Sequence, residues 1–227
     1  MMTRKITTAI LILFLSIGAW AQFEHPDLKS GKSVIKSAII LPPDVKIIKS
    51  SVKANEEMIE ESRQIENALP PLISSVLLER QCTVNDKTFA SDVLEKDPDL
   101  KYAVADLQKR FDEVFPQLQR KPKDVRKGRF TLGDEVAKLN PGGTIDALVF
   151  VRGFGQVSTG GKVLLSALAR TAAYSATIYY ITVVDARNGV VLYYGVAYQG
   201  GNPAKNPDGS KKSIAKSFKN FPGKQKS

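Results

Sequence analysis

Apolar residues occupy odd and even positions alike from Ala176 to Gln199, on both sides of Arg187-Asn188-Gly189. The first arm, Ala-Thr-Ile-Tyr-Tyr-Ile-Thr-Val-Val-Asp, and the second, Val-Val-Leu-Tyr-Tyr-Gly-Val-Ala-Tyr-Gln, are dense in β-branched and aromatic residues that suit a pleated, packed surface. Asn188-Gly189 supplies two residues able to take φ > 0, which predicts a β-hairpin with a tight type I′ turn. A hairpin with one wet face would alternate apolar with polar. This one does not, so it is expected to be covered on both sides.

The remaining pattern predicts elements around that hairpin. Ser33 to Leu41 reads as a buried strand stopped by Pro42-Pro43, with a short extended piece at Val45 to Ile48. Asn55 is placed to cap a helix carrying Glu56 and Glu57 in its first turn and Ile59, Ile65 and Leu69 on its apolar side. Pro70-Pro71 is expected to divide that helix from a second one over Leu72 to Arg80. Thr83-Val84 predicts a brief strand. Leu100, Val104, Leu107, Phe111, Val114, Phe115 and Leu118 draw a single stripe on a helix from Pro98 to Leu118. Thr131 to Leu139 reads as a short helix closed by Asn140-Pro141-Gly142-Gly143. Asp146 to Arg152 is a buried strand, after which Gly153-Phe-Gly155 predicts a tight turn. Val163 to Ala173 is a small, apolar helix, and a last helix starts near Ser210, presents Ile214, Phe218 and Phe221, and is stopped by Pro222. Strands alternating with helices and ending in a hairpin predict an α/β fold: a single-domain sandwich with a mixed β-sheet flanked by helices, a C-terminal β-hairpin and a final helix.

The start of the chain has a different character. Arg4 and Lys5 precede an uncharged run from Ile6 to Trp20 and an Ala19-Trp20-Ala21 site, the pattern of a cleaved export signal. About 15 apolar residues fall short of the roughly 20 that span a bilayer, and no Cys follows the site for lipidation. The expected organisation is a cleaved signal peptide over 1–21, a polar linker over 22–32, one α/β domain over 33–222 and a basic tail over 223–227. The expected location is the periplasm or outside the cell, with peripheral contact at the outer membrane. The formal charge of +10 is concentrated in two places. Arg120, Lys121, Lys123, Arg126, Lys127 and Arg129 cluster around Asp124, and a lysine-rich end includes Lys211, Lys212, Lys216 and Lys219. These segments are candidates for an anionic partner, either a lipid or a cell-wall polymer, while export argues against nucleic acid. Solvated loops and helix faces are the plainer explanation. The apolar segment with Val163, Leu164, Leu165 and Leu168 is the candidate contact for self-association or an envelope partner.

Chemistry is sparse. His25 is the only histidine and Cys82 the only cysteine, which removes His-based triads from the body of the domain, makes a His-based metal site unexpected and rules out an internal disulfide. Cys82, between a helix and a strand, is expected to be buried and inert. Gly153 to Lys162 follows a strand, but Gln156, Ser158 and Val163 stand where phosphate-binding loops need other residues. No catalytic residue, cofactor or metal is assigned.

Four stretches together resemble a large family of bacterial envelope proteins, mostly lipoproteins: Ile39-Ile40-Leu41-Pro42-Pro43-Asp44-Val45, Asp146-Ala147-Leu148-Val149-Phe150-Val151-Arg152-Gly153, the turn from Asp185 to Tyr193, and the closing Phe221-Pro222. Their order of elements is similar to the periplasmic domain of the curli secretion channel subunit (CsgG-like) and the amino-terminal domain of TolB. The resemblance implies a mixed sheet flanked by helices in the Gram-negative envelope, and it carries no catalytic residues. Two departures stand out: the usual lipidated Cys is missing, and Tyr193 stands where Trp is common. The leading reading is therefore a non-enzymatic envelope protein that acts by binding or assembly, an accessory subunit of an envelope complex. One alternative is a histidine-independent hydrolase or lyase using carboxylates such as Asp146 and Asp185, which would have to share a deep pocket with a third. The other is a binder of anionic glycolipid or cell-wall polymer.

Overall fold

The computed structural model describes residues 21–52, 54–85, 89, 91–140, 142–160, 163 and 175–223. In chain order these form β1 (Gln22–Glu24), α1 (Pro26–Lys29), β2 (Ser37–Ile40), β3 (Asp44–Ser50), β4 (Asn55–Glu57), α2 (Ile59–Leu78), β5 (Thr83–Asn85), α3 (Ser91–Lys96) and α4 (Pro98–Arg120). Two 3₁₀ helices (Pro122–Lys127 and Asp134–Leu139) lead to β6 (Ala147–Ser158), β7 (Ala176–Asp185) and β8 (Val191–Gly200), and α5 (Pro207–Ser217) closes the domain. Among the described residues eight strands make one mixed sheet, ordered β1-β8-β7-β6-β2-β5, with β3 also on β6 and β4 on β3. The predicted α/β architecture is therefore the observed one.

β6 is the spine. β2 runs parallel to its first residues and β3 to the rest, so β2 and β3 behave as one strand broken in the middle. The break falls at Pro42-Pro43, which have no N–H to give to the ladder, and pairing resumes at Asp44 opposite Arg152. On its other side β6 pairs antiparallel with β7, which pairs with β8. A bulge between Val183 and Val184 lets β8 carry one extra residue, so that Leu192 and Tyr193 both reach the same core.

Each sheet face has its own core, which explains the hairpin's unbroken apolar pattern. Ile65, Leu69, Ile73 and Leu77 of α2, with Ile214 of α5 and Phe218, cover Ile47, Val149, Val151, Tyr179, Ile181 and Tyr193. Opposite, Phe111, Phe115 and Leu118 of α4, with Val125 and Val136 of the 3₁₀ helices, cover Leu148, Phe150, Val184 and Tyr194. Phe111 stacks on Phe150 with centroids 4.5 Å apart.

Several local expectations gave way to long-range contacts. α2 is one helix with Pro70 and Pro71 inside it, and Asn55 to Glu57 form β4 instead of its first turn. An internal proline costs a helix about 3 kcal/mol or more, but Ile65, Leu69, Ile73 and Leu77 keep one phase through the prolines and are all buried. Their shared burial on the sheet outweighs the local break. Residues 22–32 are not a linker: β1 pairs antiparallel with β8, and α1, capped by His25, buries Leu28. The hairpin turn is a four-residue loop, Ala186 to Gly189, closed by Asp185 N–H to the Val190 carbonyl (2.9 Å) and Gly189 N–H to the Asp185 carbonyl (3.0 Å). Only Gly189 takes a left-handed φ, while Asn188 accepts the Val190 N–H through its side chain (3.0 Å). Gly153 and Gly155 do not turn the chain. They lie within β6, where a Cβ on Gly153 would stand 2.9 Å from Val45 and one on Gly155 would stand 2.4 Å from Thr177 Oγ1.

Candidate functional site

The carboxylates weighed for catalysis are structural. Asp146 accepts the N–H groups of Lys36 (2.9 Å) and Ser37 (3.0 Å) and the Ser37 hydroxyl (3.0 Å), fixing the start of β2 against β6. Asp185 accepts the Arg187 N–H (2.9 Å) and its guanidinium (3.0 and 2.8 Å), shaping the hairpin loop. Neither lines either of the two described cavities, and no group of three metal-ligating side chains exists among the described residues. Cys82 is fully buried, and burial pushes its thiol up to about 11, which keeps it protonated and unreactive. His25 accepts the Asp27 N–H at 3.2 Å as a helix cap.

The side chains left exposed define surfaces. One lies on the sheet itself. Register places Lys46 of β3, Phe154 of β6, Ile178 of β7 and Tyr198 of β8 side by side, on the face that α4 covers lower down. At about 4.8 Å between strands this row spans roughly 14 Å. Phe154 rests one side against Phe115 (centroids 6.2 Å) and Tyr180 (6.2 Å), yet is 46% exposed. Tyr198 is 39% exposed, and Ile178, Tyr180 and Val196 are half-buried. A cleft of about 400 Å³ adjoins Phe154 and is lined by Asp44, Lys46, Glu57, Ile59, Arg63 and Glu66. In it Lys46 pairs with Glu57 at 3.2 Å, and Glu66 accepts the Val45 N–H at 2.9 Å, capping an edge donor of β3. Partial burial pushes the Glu66 carboxyl up, against the pull of that N–H.

Beneath this row Arg152 is a buried cation, 2% exposed. Its guanidinium donates to Asp112 (2.9 and 2.7 Å), Gln108 (2.7 Å) and the Val151 carbonyl (3.2 Å) and lies 5.0 Å from the Phe111 ring centroid. It ties α4 to β6 and fixes the strand that presents Phe154. The sequence reading missed this arrangement. Its signal was a lone Arg inside an apolar strand, opposite a helix with Asp112 on its polar side.

The basic segments flank one strand. Arg120 to Arg129 runs through a 3₁₀ helix beside β1, and α5 lies against β8 on the other face. Lys127 (3.0 Å) and Arg129 (3.4 Å) both pair with Asp124 and hold its carboxyl below the ordinary range. Arg120, Lys121, Lys123, Arg126, Lys211, Lys212, Lys216 and Lys219 are exposed. Of the candidate oligomer contact, Val163 is described and 45% exposed, whereas Leu164, Leu165 and Leu168 lie outside the described residues. The predicted signal peptide also lies outside them, apart from Ala21. Among the described residues no helix is long and apolar enough to cross a membrane.

No family model and no curated protein matches the chain. Among solved structures it is similar to the PelC dodecamer from Paraburkholderia phytofirmans, at 10% identity and a TM-score of 0.42 over 91% of this chain and 98% of that one. A PelC variant from the same organism gives 9% and 0.43 over 92% and 100%. The lipoprotein GNA1162 from Neisseria meningitidis gives 17% and 0.35 over 74% and 81%. At these scores and identities the likeness assigns neither a family nor a function to this chain.

Proposed function

We propose that this chain is an exported envelope protein that catalyses no reaction and acts by assembly, joining a second copy of itself through the open sheet face. The observation that carries the reading is the row Phe154, Ile178 and Tyr198, with its two aromatic rings 46% and 39% exposed beside strands whose other apolar residues are mostly buried. Fully burying such a side chain from water is worth about 1.5–3 kcal/mol, and the exposed 46% and 39% of these two rings leave somewhat under half of that for each to gain in a contact. Charges of both signs border Phe154, Lys46 and Arg63 beside Asp44, Glu57 and Glu66. A patch with both signs can meet its own copy across a two-fold axis with unlike charges opposed. The backbone roles of Asp146 and Asp185 support the non-catalytic half of the reading. The Ala19-Trp20-Ala21 pattern supports export, with β1 starting at Gln22.

Light scattering of the chain from Gln22 onward should give a mass of at least two chains. Phe154→Ser with Tyr198→Ser should return it to one chain that still folds, as circular dichroism would show, with some loss of melting temperature from the lost ring contacts and the lost association. A chain that stays monomeric at every concentration tested, and that cross-links to no partner in envelope fractions, would sink the proposal.

A further inference from the structure

Two basic segments about 80 residues apart in sequence meet at one sheet edge. β1 sends Phe23 and Gln22 to opposite faces. On one side the Arg126 guanidinium lies 5.3 Å from the Phe23 ring centroid. On the other, Gln22 Nε2 donates to the Lys216 carbonyl (2.6 Å) and Gln22 Oε1 accepts the Asn220 N–H (2.7 Å). The 120–129 segment and the end of α5 therefore border the same three-residue strand. Lys29 and Arg126 act on the Glu24 carboxyl of β1, Lys219 lies between the two residues that Gln22 bonds, and Lys121 and Lys123 precede Arg126 in the same segment. All five are exposed and have no ion-pair partner within 4 Å among the described residues. The acid nearest this edge is Glu24, half-buried, which feels Lys29 and Arg126. Asp124 is already taken by Lys127 and Arg129.

The same edge is where the apolar leader joins the domain. β1 begins at Gln22, two residues after Trp20 ends the uncharged run. At about 3.5 Å per residue, no spacer separates β1 from the bilayer for as long as the leader is uncleaved and held there. Cations ringing that point meet lipid headgroups first.

We propose that the β1 edge, with Lys29, Lys121, Lys123, Arg126 and Lys219 around it, is the surface this domain lays against an anionic phospholipid bilayer. The proposal rests on the export reading above and names a partner that the assembly reading does not need. Each Lys or Arg held near an anionic surface is worth about fivefold in affinity, so five together give reversible, salt-sensitive binding without insertion.

The test is sedimentation of the chain from Gln22 onward with vesicles of phosphatidylcholine alone, or of phosphatidylcholine mixed with phosphatidylglycerol. The expected result is binding to the mixed vesicles alone, falling more than about tenfold between about 50 and 500 mM salt. Lys123→Glu with Lys219→Glu, one change from each segment, should weaken it by about tenfold or more. Lys101→Glu with Lys109→Glu, on the exposed side of α4 and equal in charge change, should have a small effect. Circular dichroism checks that both variants fold. Equal loss in both variants, binding to neutral vesicles, or indifference to salt would overturn the proposal. So would poly-L-glutamate binding as tightly as vesicles, which would put a soluble anionic polymer in place of the membrane. Absence of vesicle binding by the unsubstituted chain, with its oligomer mass unchanged, would reject this surface and leave the assembly reading standing.

Discussion

Arg152 and Asp112 form an ion pair whose two halves sit in different solvents. The Arg152 side chain is 3% exposed and that of Asp112, 2.7 Å away, is 56% exposed. Removing either partner deletes the same pair but leaves a different residue behind. Asp112→Ala strands a guanidinium in the interior, with Gln108 at 2.7 Å, the Val151 carbonyl at 3.2 Å and Asp44 at 3.5 Å as its remaining acceptors. Arg152→Met leaves a carboxylate that water solvates at once and fills the space beside Phe111 with an apolar chain. Breaking a buried pair costs about 3–5 kcal/mol when the orphaned charge stays buried, and the surviving acceptors reduce that to about 2–3 here. Arg152→Met loses charge-assisted hydrogen bonds but avoids an orphaned charge, at a cost of about 0–1.5 kcal/mol. A domain this size shifts by about 2–4 °C per kcal/mol, so Asp112→Ala should melt about 5 °C below Arg152→Met. Urea titrations followed by circular dichroism on both single variants and the double variant measure the order and the coupling. If Arg152→Met is the less stable by more than about 1 kcal/mol, beyond the usual error of such cycles, then packing of the arginine stem decides this site and burial of its charge does not.

Three further outcomes follow from single contacts. Desolvation pushes the Asp185 carboxyl up, but bonds from the Arg187 guanidinium and from the Arg187 and Asn188 N–H groups outweigh it, so its pKa lies below the usual 3.8. A lowered folded pKa stabilises above the unfolded value and is lost as pH falls through the folded one, so Arg187→Ala should move the acid-unfolding midpoint upward; an unchanged midpoint contradicts this. Gly155→Ala would set a Cβ 2.4 Å from Thr177 Oγ1 and 2.6 Å from Ile47 Cδ1, whereas one on Gly160 meets nothing within 4 Å. Thermal melts should show Gly155→Ala losing about 1–3 kcal/mol and Gly160→Ala nearly silent. Pro71→Ala restores an N–H to the interior of α2, and urea midpoints should rise by the equivalent of about 1–3 kcal/mol; a fall would mean that the proline itself is needed.

The parts legible in the sequence were those fixed by short-range patterning. β7 and β8 announce themselves because β-branched and aromatic residues fill both faces, and both faces are in fact packed. The stripe from Leu100 to Leu118 gives α4 for the same reason, with Asp97 accepting the Leu100 N–H at its start (3.0 Å). The α2 error came from weighing the local rule for proline above an apolar stripe whose phase never breaks between Ile65 and Leu77. The turn error came from letting Asn188 take a positive φ, when its side chain and that of Asp185 satisfy the loop's N–H groups instead. β1 had no local signal at all. Gln-Phe-Glu is a strand because β8 offers an edge to it some 170 residues later, and the open row at Phe154 is equally non-local. An apolar strand residue reads as buried, and whether a helix covers it depends on packing from elsewhere in the chain.

The least legible element, β1, has the largest structural consequence. Gln22 and the C-terminal segment are joined through Tyr193, whose hydroxyl donates to the Ser217 carbonyl and lies 3.0 Å from Gln22 Oε1, while its ring stacks on Phe218 (5.7 Å). Burial raises the Tyr193 phenol well above its ordinary value, so it remains a donor at any physiological pH. These contacts join residues 171 to 198 positions apart, among the longest loops the chain can close, and long loops close late. The sheet edge at β1 is therefore completed only when both ends of the chain are present together. That edge is also the one beside which Lys29, Arg126 and Lys219 stand. Closing the fold and gathering the charge of 120–129 and of α5 at one edge are the same structural event.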